Sequence, residues 1–164
     1  KVGDDHMAQA GFQYKYDDFI WAPSGPGEDR ASHEYIGHAG WFWFIFDRKG
    51  FLNFTYTLNY DDTDGENWRY IGNKFTFNAM TPVATDKLKL GGKLEYFHQH
   101  FTEKNLIFDK DRRDDVLGVY AFLTYEIVKN LEVRLDYAFI KDSSTLNLYN
   151  YTRNVYSMGM KYKF

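Results

Sequence analysis

The C-terminal segment of the chain alternates large apolar residues with small or polar ones. Counting back from the end, the apolar and the intervening residues form two sets: Phe164, Tyr162, Met160, Met158 and Tyr156 in the first, and Lys163, Lys161, Gly159, Ser157, Val155 and Arg153 in the second. Successive side chains on a β-strand point to opposite faces, so the segment predicts a strand with one apolar and one mostly polar face. In a soluble domain such a strand at the end of the chain would be an exposed apolar edge. We therefore expect it to be paired on both sides within a closed sheet.

Seven further segments show the same period of two. The predicted strands are: about 6–20, 32–46, 51–60, 68–80, 87–101, 117–127 and 131–140, with the last strand from 151. None of these segments has the i, i+3, i+4 apolar spacing of an amphipathic helix. The two faces can be assigned for every strand except the second, because the run Trp41-Phe-Trp-Phe-Ile-Phe46 is apolar on both sides. The predicted organisation is a polar lead-in at 1–5 and one β-barrel domain at 6–164.

The connections between the predicted strands alternate in length. Long polar connections follow the first, third, fifth and seventh strands, and tight turns follow the second, fourth and sixth. This pattern is typical of membrane barrels with short turns on one side and long loops on the other. The predicted fold is all-β: an antiparallel up-and-down transmembrane β-barrel of about eight strands, or the C-terminal part of a larger barrel. Both termini then lie on the side of the short turns.

The composition favours strands, and not helices, as the membrane-spanning elements. Aromatic residues make up 20% of the 164 residues, yet the mean hydropathy is negative. No apolar run approaches the roughly 20 residues that a spanning helix needs. The absence of cysteine excludes disulfides and thiolate metal sites, and the net charge of −3 argues against nucleic-acid binding. The sequence begins without an initiator Met or an apolar leader, so we expect a processed or truncated product.

Aromatic residues cluster near the predicted strand ends. Those at the long-loop ends and those at the short-turn ends form two groups: Trp21, Tyr60, Trp68, Tyr149 and Tyr151 in the first, and Trp41, Trp43, Tyr162 and Phe164 in the second. Aromatic girdles at the two lipid–water boundaries would produce this distribution. The alternative is a soluble, lipocalin-like barrel with its apolar face turned inward. Alternation alone does not decide which face is inside, but the girdles favour the membrane.

The last strand, with its alternating aromatic residues and terminal Phe164, resembles the assembly signal of bacterial outer-membrane barrels. More narrowly, parts of the last third are similar to barrels tied to exopolysaccharide export or following tetratricopeptide repeats: Arg113-Asp-Asp, Leu131-Glu-Val-Arg-Leu-Asp-Tyr137, Tyr151-Thr-Arg-Asn-Val-Tyr156 and Phe164. The general resemblance covers the whole chain. It implies a location in the bacterial outer membrane, with both termini in the periplasm.

The function that follows is that of an integral, porin-like outer-membrane β-barrel, a structural or binding protein with surface-exposed loops. The alternative is a pore or conduit component for the export of an anionic solute or an exopolysaccharide. The expected partners are outer-membrane lipid and lipopolysaccharide, with a periplasmic or envelope complex as a further candidate and no nucleic acid. No enzymatic activity, catalytic residue or cofactor is predicted, apart from a divalent cation that a loop would hold.

If the apolar faces meet lipid, the opposite faces form a charge network in the lumen: Lys15, Lys74, Lys89, Lys93, Glu95, Glu126, Glu132, Arg134, Asp136, Arg153 and Lys161. Eight strands enclose a space that side chains nearly fill, and buried charges are tolerated there only when paired. One interpretation is therefore a structural network of ion pairs. The other is a basic path for an anion or an acidic polysaccharide, which needs a wider barrel.

Two clusters are weak candidates for metal binding. Asp61, Asp62, Asp64 and Glu66 lie in a predicted acidic loop with some calcium-loop character, although the EF-hand spacing is incomplete. His98 and His100 share one face of a strand, a spacing that could hold a metal ion. The alternatives are a solvated loop and two histidines at a lipid boundary, so no firm metal site is predicted.

Overall fold

The chain folds into one antiparallel sheet of eight strands in the order β1 to β8, which confirms the predicted all-β, up-and-down class. The computed structural model describes residues 4–19, 23–25 and 27–163. Its strands are: β1 (His6–Asp17), β2 (Ser32–Ile45), β3 (Gly50–Thr63), β4 (Tyr70–Val83), β5 (Thr85–Phe101), β6 (Arg113–Val128), β7 (Leu131–Ser144) and β8 (Tyr151–Tyr162). One short 3-10 turn, Asn147–Tyr149, precedes β8. Among the described residues, no helix has the length and apolar character needed to cross a membrane.

The connections lie alternately at the two ends of the sheet. The short ones are 46–49, Ala84 and 129–130, and the long ones are 18–31, 64–69, 102–112 and 145–150. Ala84 and Asn130 have φ of 60° and 73°, the left-handed conformation that tight hairpin turns require. Lys49, in the first short turn, bonds to Asp86 at 2.7 Å, and this hydrogen bond raises the pKa of the Lys49 ammonium group.

Several strands continue past their predicted ends. β3 continues to Thr63, which stands opposite Ser32 of β2. β4 extends to Val83 and β5 begins at Thr85, so the turn predicted at 81–86 consists of Ala84 alone. The ladder is made by backbone groups, so a strand can continue through polar residues once its apolar alternation has ended.

The sheet is strongly curved. Side chains from seven strands, β2 to β8, line one cavity of about 460 Å³, so that Phe42 of β2 and Ser157 of β8 border the same space. A flat sheet would hold these two strands roughly 29 Å apart, at about 4.8 Å per strand spacing. We call the face that lines this cavity the enclosed face and the opposite one the outer face. The cavity assigns the face of β2 that the sequence left open: Phe42 is enclosed, and Trp41 and Trp43 point outward.

Aromatic rings on the enclosed face lie over glycines of neighbouring strands. A Cβ at Gly91 would come within 2.1 Å of the Phe122 ring, and one at Gly72 within 2.5 Å of the Phe97 ring. These glycines therefore give the rings the room they occupy inside the curve. Substitution of either glycine would force a ring to move.

The sheet is not closed. Within the described residues, β1 pairs with β2 alone and β8 pairs with β7 alone. Every residue of β8 is exposed, as are most residues of β1. Within the described residues, β1 and β8 therefore form the two edges of the sheet.

The register of the seven pairings sets how these two edges are staggered. A row of directly opposed residues starts at His6, the first residue of β1, and crosses the sheet: Trp43, Leu52, Ala79, Gly92, Ala121, Tyr137 and Tyr156. The row ends in the middle of β8 and not at Tyr162, its last residue. The strand ends are therefore staggered across the sheet, as they are in a barrel whose strands tilt with respect to its axis.

The outer face is apolar and exposed. Tyr156, Met158 and Met160 of β8 are 76%, 73% and 71% exposed. The remaining strands add further exposed apolar residues to the same face: Phe12, Tyr14, Trp41, Phe54, Leu58, Phe75, Phe77, Leu94, Val119, Leu123 and Leu135. The buried residues concentrate elsewhere, at the long-loop end of the molecule: Ala31, Ser32, Thr63, Asn67, Phe101, Asn105, Arg112, Asp114 and Leu146.

Candidate functional site

The four long connections pack together at one end of the sheet, and we call this assembly the loop cap. Asn67 lies at its centre and is 1% exposed. Its Nδ2 donates to Glu28 Oε1 at 2.6 Å, and its Oδ1 accepts from the backbone N–H of Leu106 at 2.7 Å. One amide thus joins three connections, those after β1, β3 and β5.

Thr145 joins the fourth connection to the cap. Its hydroxyl donates to the carbonyl of Asp111 and accepts from the backbone N–H of Arg113, both at 3.0 Å. Asn105 closes its own loop by accepting from the N–H groups of Ile107 and Phe108. The cap is therefore held by side chains that replace the backbone pairing which loops lack.

Arg112 is the buried cation of the cap. Its Nε lies 3.2 and 2.9 Å from the two carboxylate oxygens of Asp114, whose side chain is 2% exposed. The guanidinium carbon lies 3.5 Å from the ring centre of Tyr149 and 4.0 Å from that of Phe101. A charge at this depth is stabilised by its partner carboxylate and by cation–π contacts.

Trp68 contacts two arginines in the same cap. The Arg30 guanidinium carbon is 3.9 Å from its ring centre, that of Arg112 is 5.3 Å away, and its Nε1 donates to Glu28 Oε2 at 3.2 Å. Tyr149 contacts it edge-on at 6.1 Å. The prediction that Trp68 and Tyr149 are lipid-boundary residues stays a prediction; in the structure, arginines of the cap contact both rings.

Below the cap, the enclosed face opens into a cavity of about 250 Å³, which we call the mouth cavity. The charged and hydrogen-bonding residues that matter for its chemistry come from seven elements: Asp17, Arg30, Ser32, Asp61, Tyr70, Gln99 and Arg112. Ser32 lies within hydrogen-bonding reach of Asp61, and Gln99 within reach of Tyr70. The cavity therefore combines two guanidinium groups, the carboxylates of Asp17 and Asp61, of which the first is paired with Lys15, and several neutral hydrogen-bonding groups.

A chain of polar contacts supports the floor of the mouth cavity. Lys15 forms ion pairs with Asp17 and, at 3.6 Å, with Glu34. Asn59 Nδ2 then lies 2.8 Å from Glu34 Oε1 and 3.2 Å from the Tyr70 hydroxyl. The contacts run from β1 to β4, so this part of the enclosed face is polar and cross-linked.

Two further cations of the enclosed face pair with an acid on their own strand. Lys93 lies 3.1 Å from Glu95, and Arg134 lies 2.7 Å from Asp136. Aromatic rings cover the same cations, since Tyr120 is 4.0 Å from Lys93 and Phe122 is 3.9 Å from Arg134; Lys74 lies over Phe97 at 4.7 Å. Residues two apart share a strand face, which makes each pair local.

The remaining predicted lumen charges are not brought into ion pairs in the described part of the chain. They are Lys89, Glu126, Glu132, Arg153 and Lys161. Glu126 stands directly opposite Glu132, and Glu132 directly opposite Lys161, near the short-turn end. The charges at this end of the enclosed face are thus less completely paired than the charges at the end under the cap.

The metal candidates do not converge. No group of three or more His, Asp, Glu or Cys residues with metal-binding geometry occurs among residues 4–19, 23–25 and 27–163. Asp61 and Asp62 lie in β3, not in a loop, and therefore point to opposite faces: Asp61 borders the mouth cavity, and Asp62 pairs with Arg69 at 2.8 Å. Asp64 and Glu66 are exposed. The predicted acidic loop is thus corrected to a strand end followed by a turn.

The two histidines are separated by their contacts. His98 Nδ1 lies 2.8 Å from Asp115, which also accepts from the Tyr96 hydroxyl. His100 is exposed and stands opposite Arg113. A cation next to His100 disfavours a metal ion there, so the pair is an outer-face polar cluster.

The other predicted boundary aromatics have mixed positions. Trp41, Trp43, Tyr60 and Tyr162 are exposed, in line with the outward residues of their strands. Tyr151 shares its face of β8 with Ser157 and so belongs to the enclosed side. Trp21 and Phe164 lie outside the described residues.

Sequence reasoning missed Arg112 and Asp114, since it assigned Arg112 to a charged loop. A signal was present: three other cations of the enclosed face precede an acid by two residues in the same way: Lys15–Asp17, Lys93–Glu95 and Arg134–Asp136. The spacing of Arg112 and Asp114 repeats this pattern and predicts that β6 begins there.

Comparison with known proteins finds one family. The family model described as a protein of unknown function (DUF2860) matches residues 29–163, from the end of the first long connection to beyond β8. No curated protein and no solved structure matches the chain.

Proposed function

We propose a function for this chain, which belongs to the DUF2860 family: it is an integral β-barrel protein of the bacterial outer membrane, where it acts as a structural or binding protein. Its outer face would lie against lipid. The loop cap would face the outside of the cell, among lipopolysaccharide headgroups, and the short turns and both termini would face the periplasm.

The observation that carries this proposal is the distribution of apolar residues over the two faces. Phe54, Phe77 and Leu94 stand in neighbouring strands at mid-height of the sheet and are 50%, 43% and 48% exposed on the outer face. A soluble protein would leave few such contiguous residues in water. Lipid would cover them at no cost.

The enclosed face argues against the soluble alternative. A lipocalin-like barrel should turn its apolar residues inward, yet the inward residues here include the ion pairs Lys93–Glu95 and Arg134–Asp136. The resemblance of the last strand to outer-membrane assembly signals is in agreement with the membrane location. Because several inward charges are paired, a structural or binding role is favoured over open passage.

A lysine on the outer face should destabilise the protein in lipid. We expect Phe77→Lys to lower the free energy of unfolding by about 2–4 kcal/mol, because it places a charge at mid-depth in the bilayer. The measurement is unfolding by urea in phosphatidylcholine vesicles, followed by tryptophan fluorescence.

The matched control is the adjacent residue on the enclosed face. Thr76 stands opposite Glu95, so Thr76→Lys should change the free energy of unfolding by less than about 1 kcal/mol. Equal effects of the two substitutions, or a neutral Phe77→Lys, would contradict a lipid-facing outer surface. The unheated protein should also migrate differently from the boiled protein on a denaturing gel.

A second role has its own observations. The sheet is open between β1 and β8, and Arg153 and Lys161 on β8 make no ion pair within the described residues. Further strands, from other parts of a longer chain or from other copies, would widen the lumen beside these cations. The protein would then be the pore or conduit component for an anionic solute or exopolysaccharide.

Conductance separates the two roles. A closed eight-stranded barrel with paired charges should show no discrete conductance steps in a planar bilayer. A conduit should show anion-selective steps, and Arg153→Glu with Lys161→Glu should lower or reverse that selectivity. Steps without any dependence on these two residues would speak against the anion path through β8.

A further inference from the structure

Two arginines line the mouth cavity and contact the same tryptophan ring. The guanidinium carbons of Arg30 and Arg112 lie 3.9 and 5.3 Å from the same point, the ring centre of Trp68. Their separation can therefore not exceed these two distances taken together. Both residues line the mouth cavity, and guanidinium groups are the strongest hydrogen-bond donors to a carboxylate.

Neither guanidinium has its hydrogen bonds completed by the described part of the chain. Arg30 makes no ion pair there, and Nη1 of Arg112 has no hydrogen-bond partner although the side chain is only 7% exposed. Buried donors are nearly always paired in folded proteins. Asp114 already occupies the other edge of Arg112, so a further acceptor is expected beside Nη1.

The mouth cavity is also lined by a carboxylate oxygen that could accept a hydrogen bond from a ligand hydroxyl group. Oδ1 of Asp61 is buried without a hydrogen-bond partner, and Ser32, Tyr70 and Gln99 border the same space. A plain anion would satisfy the arginines and be repelled by Asp61. A molecule with both a carboxylate and hydroxyl groups would accept hydrogen bonds from the two arginines and donate one to Asp61.

The volume limits the size of the ligand. At about 250 Å³ the mouth cavity lies below the roughly 300–1,000 Å³ of pockets that hold drug-sized molecules. One sugar ring fits this limit. We propose that the mouth cavity binds a hexuronate, with its carboxylate between Arg30 and Arg112 and its hydroxyl groups at Asp61 and Ser32.

This inference rests on the proposed function only in placing the site at the cell exterior, where acidic sugars would reach it. Binding itself is measured on the full chain refolded in detergent micelles, by titration calorimetry with glucuronate, glucose and inorganic phosphate. Glucuronate should bind, and the other two should bind at least tenfold more weakly. Oligouronate chains in a parallel titration distinguish a site for the free sugar acid from one for the terminal unit of a polymer.

The variants separate recognition from folding. Arg30 is exposed, so Arg30→Gln should leave the heat-modifiable band unchanged and weaken glucuronate at least tenfold. Arg48→Gln is the matched control, because Arg48 also lies over a ring, that of Phe44, but at the short-turn end. It should leave binding unchanged.

Asp61→Asn supplies the second test. It should weaken glucuronate and leave phosphate unaffected or slightly strengthened, since it removes a hydroxyl acceptor and a negative charge. Equal affinity for glucose and glucuronate, no loss in Arg30→Gln, or phosphate binding as tight as glucuronate would each overturn the proposal. Failure of the membrane proposal would show in the Phe77 and Thr76 variants, with hexuronate binding in micelles intact.

Discussion

If β1 and β8 close the proposed barrel, cysteines at Gln13 and Gly159 are expected to form an intramolecular disulfide in the protein refolded into lipid vesicles. The row of opposed residues through Gly11 ends at Tyr151, the first residue of β8. A barrel whose strands tilt by about 35–45° needs a total stagger of roughly 8–12 residues over eight strands. Relative to the row, the β8 partner of each β1 residue must be shifted toward Tyr162. A shift in the opposite direction would leave β1 without residues of β8 to pair with. With a stagger of about 8, 10 or 12 residues, Gln13 stands opposite Ser157, Gly159 or Lys161, respectively. The middle value of this range gives Gly159.

The test uses a panel on a chain that has no cysteine of its own. Gln13→Cys is combined in turn with Ser157→Cys, Gly159→Cys, Lys161→Cys and, as control, Met158→Cys on the opposite face. A disulfide needs Cα atoms about 4.4–6.8 Å apart, so one enclosed-face pair should oxidise almost completely and the control should not. Disulfide-linked dimers would indicate closure by a second copy. A panel without any disulfide would contradict closure by β1 and β8 and favour additional strands.

Removal of the buried cation of the loop cap is expected to have the largest effect on stability. Arg112→Ala leaves the Asp114 carboxylate buried without its partner and removes the contacts to Phe101 and Tyr149. The free energy of unfolding should fall by about 3–5 kcal/mol. Urea unfolding followed by the fluorescence of Trp68, which borders Arg112, measures the loss.

Two further variants identify the cause. Arg134→Ala breaks a pair of the same spacing that is 46% and 34% exposed, and should cost about 1 kcal/mol or less. Arg112→Met with Asp114→Leu removes both buried charges at once and should restore most of the stability. An Arg112→Ala protein within 1 kcal/mol of the parent would mean that the amide and hydroxyl bonds of Asn67 and Thr145 hold the cap alone.

The strands and their order were predictable because side-chain alternation is local. β7, for example, alternates Leu131, Val133 and Leu135 with Glu132 and Arg134, and no distant residue is needed to read it. β2 failed this reading since Trp41 to Phe46 is apolar at every position. The pairing with β3 and the curvature of the sheet decide that Phe42 points inward and Trp41 outward.

The loop cap was not predictable because its contacts join residues far apart in the sequence. Asn67 forms hydrogen bonds with Glu28 and Leu106, and no regular spacing in the sequence predicts such contacts. Trp68 has the position of a boundary aromatic in the sequence, yet Arg30 and Arg112 determine where its ring lies. The acids at 61–62 were placed in a loop because apolar alternation, and not backbone pairing, was the signal available.

The same-strand spacing of the enclosed ion pairs bears on how the protein is assembled. Lys93 with Glu95 and Arg134 with Asp136 are each complete within a single strand. In the proposed outer-membrane location, such a strand would reach the bilayer with its inward charges already compensated, before any neighbour has paired with it. Hairpins can therefore be added to a growing sheet one after another, and no intermediate must expose a lone charge from these pairs to hydrocarbon while it waits for the next strand.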